Sequence, residues 1–477
     1  MRILFSLIFV FLLLTPVGVW MVDLNFEIEV DRIGLEPPKL QALALLDNRY
    51  YRAFDQYFND NFTLRGPLTF TKNWLDYHVF RSTDSSEVHV GANGWLFDRK
   101  SIQVYRKEAC YHQAFAHKLA LEFHAVERIV EASGRRLIVT IAPDKSTIYP
   151  EFVGFVPKSD TCDRSLYDLF LENVNAHPLE SFARFDRLLR EWKKRGALLY
   201  DKTDAHWNSL GAKVVSQAIF RKVYDQKWPY VSDFSSLDTR VSGDLMVELM
   251  GLAAETEEVS FKHFEGSDRA APLSAVIYGD SSTLSLAPYM LKIFREVDVI
   301  KSDSIPSKQH GEKLSSYDVI VFSVAESRLR TTKLQLDKIF SDLCGEELTE
   351  NRPWVDLQTV APILQVSAHP RADGLEIKSL GGESVFDLES VPASDDETFR
   401  ILMLSIESSR PDVMTIECAG QPYTMRRSLK QGLTDVYLPL PFGQQSLCLR
   451  INPGSHPGLF MLRSARIFGF PRHSDVT

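Results

Sequence analysis

Five cysteines in 477 residues are few and scattered, and no two close Cys-x-x-Cys pairs occur, so a cysteine-held metal cluster is excluded. Excess positive charge is also missing. Lys and Arg number 54 against 63 Asp and Glu, for a formal net charge of −9. A protein that binds nucleic acid through its phosphates needs the opposite balance, so no nucleic-acid partner is expected. A local basic groove for an anionic polymer stays open. There is no Gly-rich phosphate loop and no dinucleotide fingerprint, so no cofactor is expected. No internal period points to a repeat array. Disorder is excluded too: 44% of residues are hydrophobic and 25% charged, enough for two or three packed domains.

What is present begins at the N-terminus. From Ile3 to Val22 the chain carries no charge. About twenty apolar residues match the hydrocarbon core of a bilayer. Arg2 precedes the run, and Asp23, Glu27 and Glu29 follow it. That asymmetry predicts an N-terminus that stays in the cytoplasm and a bulk that is exported. No clear small-x-small cleavage site is seen, so an uncleaved anchor is preferred over a removed signal peptide. Export permits disulfides. Cys110 with Cys162, and Cys418 with Cys448, are the candidate pairs, with Cys344 left over. Connectivity is not fixed by sequence.

Four regions follow. Residues 1–22 read as the anchor. Residues 23–85 read as a tether, with Pro37-Pro38, and a helical region broken at Asn59–Thr63. Residues 86–350 alternate. Arg136–Ala142, Ala197–Asp201, Ser274–Tyr278 and Asp318–Val324 read as apolar strands, and Gln113–Ala132, Ser209–Tyr224 and Leu284–Arg295 as helices between them. Such alternation indicates an α/β domain with a parallel sheet covered on both faces. In residues 351–477 short alternating segments between Gly, Pro, Asp and Ser turns indicate an antiparallel β-sandwich or jelly roll.

Two segments carry chemistry. Ser274–Thr283 reads as a buried strand ending in Gly279-Asp280-Ser281. Asp204-Ala-His206 supplies a carboxylate and an imidazole. A serine hydroxyl needs a base to take its proton, and the base needs a carboxylate to fix its tautomer. Ser281 is the candidate nucleophile, His206 the base and Asp204 the orienting acid. Both segments are expected at the carboxyl edge of one sheet, where open α/β sheets bind ligands. Ser282 and Gly279 are candidates for holding an oxyanion or substrate. Ser282 is also a rival nucleophile and Asp280 a rival orienter. Each segment alone reads more readily as a turn or a helix cap; their joint occurrence favours an enzyme. His112, His117 and His124 read as surface or packing residues, and Trp95 and Trp207 as core. No metal ligand set is seen.

These residues resemble the SGNH-hydrolase-like proteins that O-acetylate bacterial exopolysaccharides, the AlgJ/AlgX alginate O-acetyltransferase group. In that group the Asp-x-His segment precedes the serine segment, as it does here. Tyr57–Phe62 with Arg65, Gly91–Phe97 and Gly243-Asp-Leu245 are further matches, and the resemblance covers about Leu40 to Leu343. It implies an SGNH-hydrolase-like three-layer α/β/α domain and a periplasmic acetyltransferase held at the inner membrane. A membrane-bound O-acyltransferase would supply acetyl groups, Ser281 would accept them, and a polysaccharide hydroxyl would receive them. The C-terminal sandwich is similar in position and strand content to the carbohydrate-binding module of the AlgX type. AlgJ-type proteins lack that module, and AlgX-type proteins lack the anchor. The polymer therefore stays open among alginate, acetylated cellulose and other exopolysaccharides. So does the choice between transferase, acetylesterase and non-catalytic binding subunit.

Overall fold

The computed structural model describes residues 48–61, 65–111, 113–157, 162–224, 243–250, 261–265, 271–301, 304–305, 313–350, 354–356, 367–371, 374–380, 385–395, 398–418, 424–443, 446–454 and 456–471, with a few isolated positions before residue 40. The expected anchor and tether, His112 and the Cys448 side chain lie outside the described residues. No helix among the described residues is long and apolar enough to cross a membrane.

Two helices, α1 (Asn48–Asn61) and α2 (Arg65–Leu75), lead into a hairpin of β1 (Val88–Val90) and β2 (Leu96–Asp98). Asn93 and Gly94 turn it, both at positive φ (56° and 78°), which Asn and Gly tolerate best. Asp98 then caps α3 (Arg99–Tyr105) through the amides of Lys100 and Ser101.

The central sheet is built from β3 (Arg136–Ala142), β4 (Phe182–Ala183), β5 (Phe261–Glu265), β6 (Ala271–Gly279), β7 (Phe294–Lys301) and β9 (Val319–Ala325), in the order β4-β3-β9-β6-β7-β5. The first five strands in that order run parallel, and β5 joins β7 antiparallel at the edge. Side chains alternate between two buried layers. Leu137, Val139, Ile320, Phe322, Val276 and Tyr278 enter one, while Ile138, Val319, Val321, Ala275 and Ile277 enter the other. The first layer packs on α4 (Gln113–Ala132), α6 (Leu166–Ala176) and α11 (Leu336–Glu350). The second packs on α7 (Phe185–Lys194), α8 (Ser209–Tyr224) and α10 (Ala287–Met290). This is a three-layer α/β/α domain. Short elements complete it: α5 (Lys145–Ile148), α9 (Asp244–Met250), and the pair β8 (Ser304–Ile305) and β10 (Lys333–Leu334). The Cys110–Cys162 disulfide closes the loop that holds α4 and β3.

Three sequence readings are corrected. Ala197–Asp201 is not a strand; only Tyr200 pairs, in an isolated bridge with Trp207. Leu199 and Tyr200 are buried, as a strand's residues would be, but the Leu199 amide donates to the Tyr149 hydroxyl instead of a ladder. Leu284–Arg295 is not one helix. A 3₁₀ turn (Ser281–Leu286) and the one-turn α10 end at Met290, and β7 begins at Phe294. Glu296 and Asp298 break the apolar run of β7 and hid it. Lastly, antiparallel β5 makes the sheet mixed, a common edge arrangement.

The remaining strands, β11 to β20, form two antiparallel sheets. One runs β12 (Ser367–Arg371), β13 (Gly374–Leu380), β20 (Pro457–Pro471), β15 (Thr398–Ser408) and β18 (Gly432–Pro439), with β11 (Trp354–Asp356) on β20. The other runs β14 (Phe386–Pro392), β19 (Ser446–Asn452), β16 (Asp412–Cys418) and β17 (Thr424–Leu429). Their inner faces share one buried core with α4, α6 and α11. Phe340 of α11 packs on Tyr437 and Phe468 (ring centroids 4.6 and 5.1 Å), and His177 stacks on Phe442 at 4.1 Å. Arg427 of β17 pairs with Glu122 of α4 at 3.0 Å. The sandwich is thus packed onto the α/β domain rather than merely strung to it.

Candidate active site

Three parallel strands end side by side. Ala142 of β3 pairs with Ala325 of β9, and Gly279 of β6 pairs with Ser323 of β9. The loops that follow carry Asp144 and Lys145, Glu326 to Arg328, and Asp280 to Ser282. They wall a cavity of about 220 Å³ with His206 and Asp244. This is the carboxyl edge of the sheet, where open α/β folds place their ligands.

Ser281 opens the 3₁₀ turn after β6. Asp280 is its N-cap, accepting from the Ser282 amide, and its other carboxylate oxygen accepts from the Ala325 amide at 2.7 Å. Asp280 therefore locks two strand ends together and is not the acid that orients His206. The Ser282 hydroxyl is bound to the same Asp280 carboxylate. With both its amide and its hydroxyl committed there, Ser282 serves neither as nucleophile nor as an oxyanion donor. Gly279 has a packing role instead: a Cβ there would lie 2.1 Å from the Ser323 carbonyl oxygen and 2.3 Å from Thr283 Cγ2. Only glycine lets β6 and its turn close this tightly on β9.

His206 sits in a loop pinned from several sides. Lys145 Nζ donates to the carbonyls of Asp201, Lys202 and Asp204 (3.1, 3.1 and 2.7 Å). Trp207 Nε1 donates to Ser285 Oγ at 2.6 Å, tying the histidine loop to the serine turn. Asn208 accepts from the amides of Leu210 and Gly211 and so caps α8. Asp204 accepts from the His206 amide at 2.8 Å, a local turn that folds the carboxylate onto its own imidazole.

The structure brings the three expected residues together. His206 Nε2 lies 2.6 Å from Ser281 Oγ, and His206 Nδ1 lies 3.0 Å from Asp204 Oδ1. The carboxylate acceptor at Nδ1 places a proton there, which leaves Nε2 of the neutral ring to accept from the Ser281 hydroxyl. A fourth residue joins them. Asp244, at the start of α9, places Oδ2 3.3 Å from the same Nδ1. The Gly243-Asp-Leu motif was visible in sequence, but nothing there tied it to the histidine.

Burial pulls the His206 pKa down, but hydrogen bonds and charge from Asp204 and Asp244 outweigh it and push it up to about 10. Burial brings Lys145 down to about 7, against the pull of Asp204, Asp244 and Asp201. At the cavity wall, burial raises Asp144 well above the carboxylate range, and burial lifts its neighbour Glu326 to about 7. Glu326 accepts from the Asp144 amide and the Thr147 hydroxyl, so it braces the start of α5 and with it Lys145.

Asp204, His206 and Asp244 offer donor atoms within 4.8 Å of one another. With Nε2 engaged by Ser281, Nδ1 must carry the ring's proton to make the base, and a metal there would displace it. We read the group as a hydrogen-bonded cluster. His117 and His124, read as surface or packing residues, bond Asn173 Oδ1 (2.9 Å) and the His177 carbonyl (3.2 Å) and do not line this cavity. Trp95 and Trp207 are buried.

Residues 88–260 match the model of the ALGX family, described as the SGNH hydrolase-like domain of acetyltransferase AlgX. That stretch of the chain is thus similar to the SGNH hydrolase-like domain of AlgX-type acetyltransferases. Among curated relatives, a probable alginate O-acetylase AlgJ of Pseudomonas aeruginosa is 30% identical over 175 residues, covering 37% of this chain and 42% of that protein. The Pseudomonas putida protein of the same name is 26% identical over 188 residues, covering 39% and 47%. The chain thus spans less than half the length of these relatives. The solved O-acetyltransferase domain of Pseudomonas putida AlgJ aligns with a TM-score of 0.35 at 18% identity, over 52% of this chain and 94% of that one. The SGNH-like match takes in Asp204, His206 and Asp244 but ends before Ser281.

Proposed function

We propose that this protein is an O-acetyltransferase that moves an acetyl group through Ser281 onto a hydroxyl of an exopolysaccharide. The observation that carries the reading is the contact between His206 Nε2 and Ser281 Oγ at 2.6 Å, with Asp204 behind Nδ1. The names of the curated relatives supply the acetyl group and the polysaccharide.

In the first step Ser281 Oγ bonds to the acetyl carbonyl carbon as its proton passes to His206 Nε2. The donor's leaving oxygen then departs with that proton, leaving acetyl-Ser281. In the second step a sugar hydroxyl gives its proton to Nε2 and its oxygen attacks the acetyl carbon. Ser281 Oγ leaves and recovers the proton. Asp204 holds the ring and stabilises its charged form throughout. The Ser281 amide, first in its turn, is proposed to donate to the developing oxyanion.

A periplasmic site of action, inner-membrane anchoring and an acetyl-supplying membrane acyltransferase are parts of the same proposal. The uncharged run at 3–22 and the Cys110–Cys162 disulfide, a bond suited to oxidising compartments, support export. The sandwich is proposed to hold the polymer.

The test is a reaction of the full chain with an aryl acetate and a set of acetyl-free oligosaccharides, read by mass spectrometry. Sugar acetylation that disappears in Ser281→Ala supports the transferase. Acetate release with no sugar acetylated would favour an esterase and overturn it.

A further inference from the structure

Asp204 is not alone behind the imidazole. Asp244 comes from a separate element, the first position of α9, and is brought to His206 by close backbone packing. A Cβ on Gly243 would lie 2.2 Å from the Thr203 carbonyl oxygen and 2.6 Å from the Asp204 amide, so glycine alone permits this approach. The Met246 amide donates to the Thr203 carbonyl, which holds α9 to the same loop. Asp244 Oδ1 accepts from the Ala205 amide at 2.7 Å and from its neighbour Leu245 at 2.8 Å. Those two bonds fix the carboxylate and aim Oδ2 at His206 Nδ1, 3.3 Å away.

The two acids differ in setting. The Asp204 side chain is 5% exposed and its Oδ1 accepts from both the amide and the ring of His206. Asp244 is 44% exposed and lies at the cavity wall. His206 Nδ1 hydrogen-bonds Asp204 Oδ1 at 3.0 Å, and Asp244 Oδ2 stands 3.3 Å from the same nitrogen, within ion-pair distance. Among the described residues, Lys145 on α5 lies with its Nζ against the Asp204 carbonyl, Asp201 offers its carbonyl to the same Nζ, and Glu87, Asp98, Lys100, Asp144, Asp280 and Arg328 line the same cavity.

We infer that Asp244 is a second positioning carboxylate: it shares the Nδ1 proton of His206 with Asp204 and holds the ring toward Ser281 from the solvent side. This rests on reading His206 as the base. Two consequences follow. The base keeps a partner for Nδ1 when Asp204 is lost, so Asp204→Asn retains part of its orientation. And a ligand that covers the mouth desolvates Asp244, which strengthens its hold on the ring as the reaction begins.

Asp244→Asn separates charge from scaffold. Asparagine keeps an oxygen for the Ala205 amide but removes the negative charge, whereas Asp244→Ala removes both. The experiment is an NMR titration of the His206 ring in the full chain, in the parent and in Asp204→Asn, Asp244→Asn, Asp244→Ala and the Asp204→Asn/Asp244→Asn double variant. In parallel, the acylation rate with an aryl acetate is followed against pH. The inference expects Asp244→Asn to lower the His206 midpoint by about one unit or more, the size of effect a neighbouring charge exerts. It expects the double variant to lower the midpoint beyond either single change. The rise of acylation with pH should move down by the same amount. An Asp244→Asn ring that titrates with the parent would overturn the inference, as would an effect seen only in Asp244→Ala, which would mark a scaffold. Because the NMR midpoint needs no turnover, this result stands apart from the fate of the function: if Ser281→Ala keeps full aryl acetate turnover, the base reading fails even where the titration moves.

Discussion

Acylation of Ser281 should rise with pH across the whole neutral range. The base acts only as neutral imidazole, and two carboxylates hold the His206 pKa up at about 10. At pH 7 that leaves the ring mostly protonated, and the neutral share grows with pH until it levels near the midpoint. Burst acylation by an aryl acetate should follow this slope once the background measured with Ser281→Ala is subtracted. Stability should move the other way. The folded pKa lies above the unfolded value of 6.5, so protonated His206 stabilises the fold fully below about 6.5. That contribution is lost as pH rises through about 10. Lys145 loses its own charge near pH 7, which can add a small step; Lys145→Met removes it and leaves the main rise in place. A midpoint near 6.5, or a rate that falls as pH increases, would refute the reasoning.

Other substitutions test the supports. Lys145→Met leaves three loop carbonyls without their donor, at about 1 kcal/mol each; acylation should fall at least tenfold while circular dichroism stays unchanged. Gly243→Ala forces a methyl into the Thr203 carbonyl, so α9 must shift; melting temperature and acylation rate should drop together. Phe340→Ala opens a hole between α11 and the sandwich and should cost about 3–5 kcal/mol. Urea unfolding should show the α/β domain and the sandwich weakened together, since one core joins them.

Much of the site was legible because its parts sit where chain patterns are loudest. Ser281 ends an apolar β-branched strand, and Asp204 and His206 lie two positions apart before an amphipathic helix. The reading of Ala197–Asp201 as a strand was wrong, yet it still placed His206 near the sheet edge, because Leu199 and Tyr200 are buried at the end of that sheet. Asp244 was not legible as a partner. Its loop meets the histidine only through glycine packing that no spacing encodes. Asp280 and Ser282 stood as rivals to Asp204 and Ser281 in sequence, and their mutual hydrogen bonds, closed across the turn, set them apart. In the sheet, β7 escaped notice because charged residues interrupt it. The edge strand β5 escaped because its pairing partner, not its composition, makes it a strand.

The most direct test is the covalent state of Ser281. The full chain is mixed briefly with an acetyl donor, quenched in acid and digested, and the peptide carrying residues 280–283 is sequenced by mass spectrometry. The account predicts acetyl on Ser281, absent in His206→Ala and discharged by an added acceptor. Acetyl on Ser282 instead, or turnover with Ser281 never modified, would contradict it.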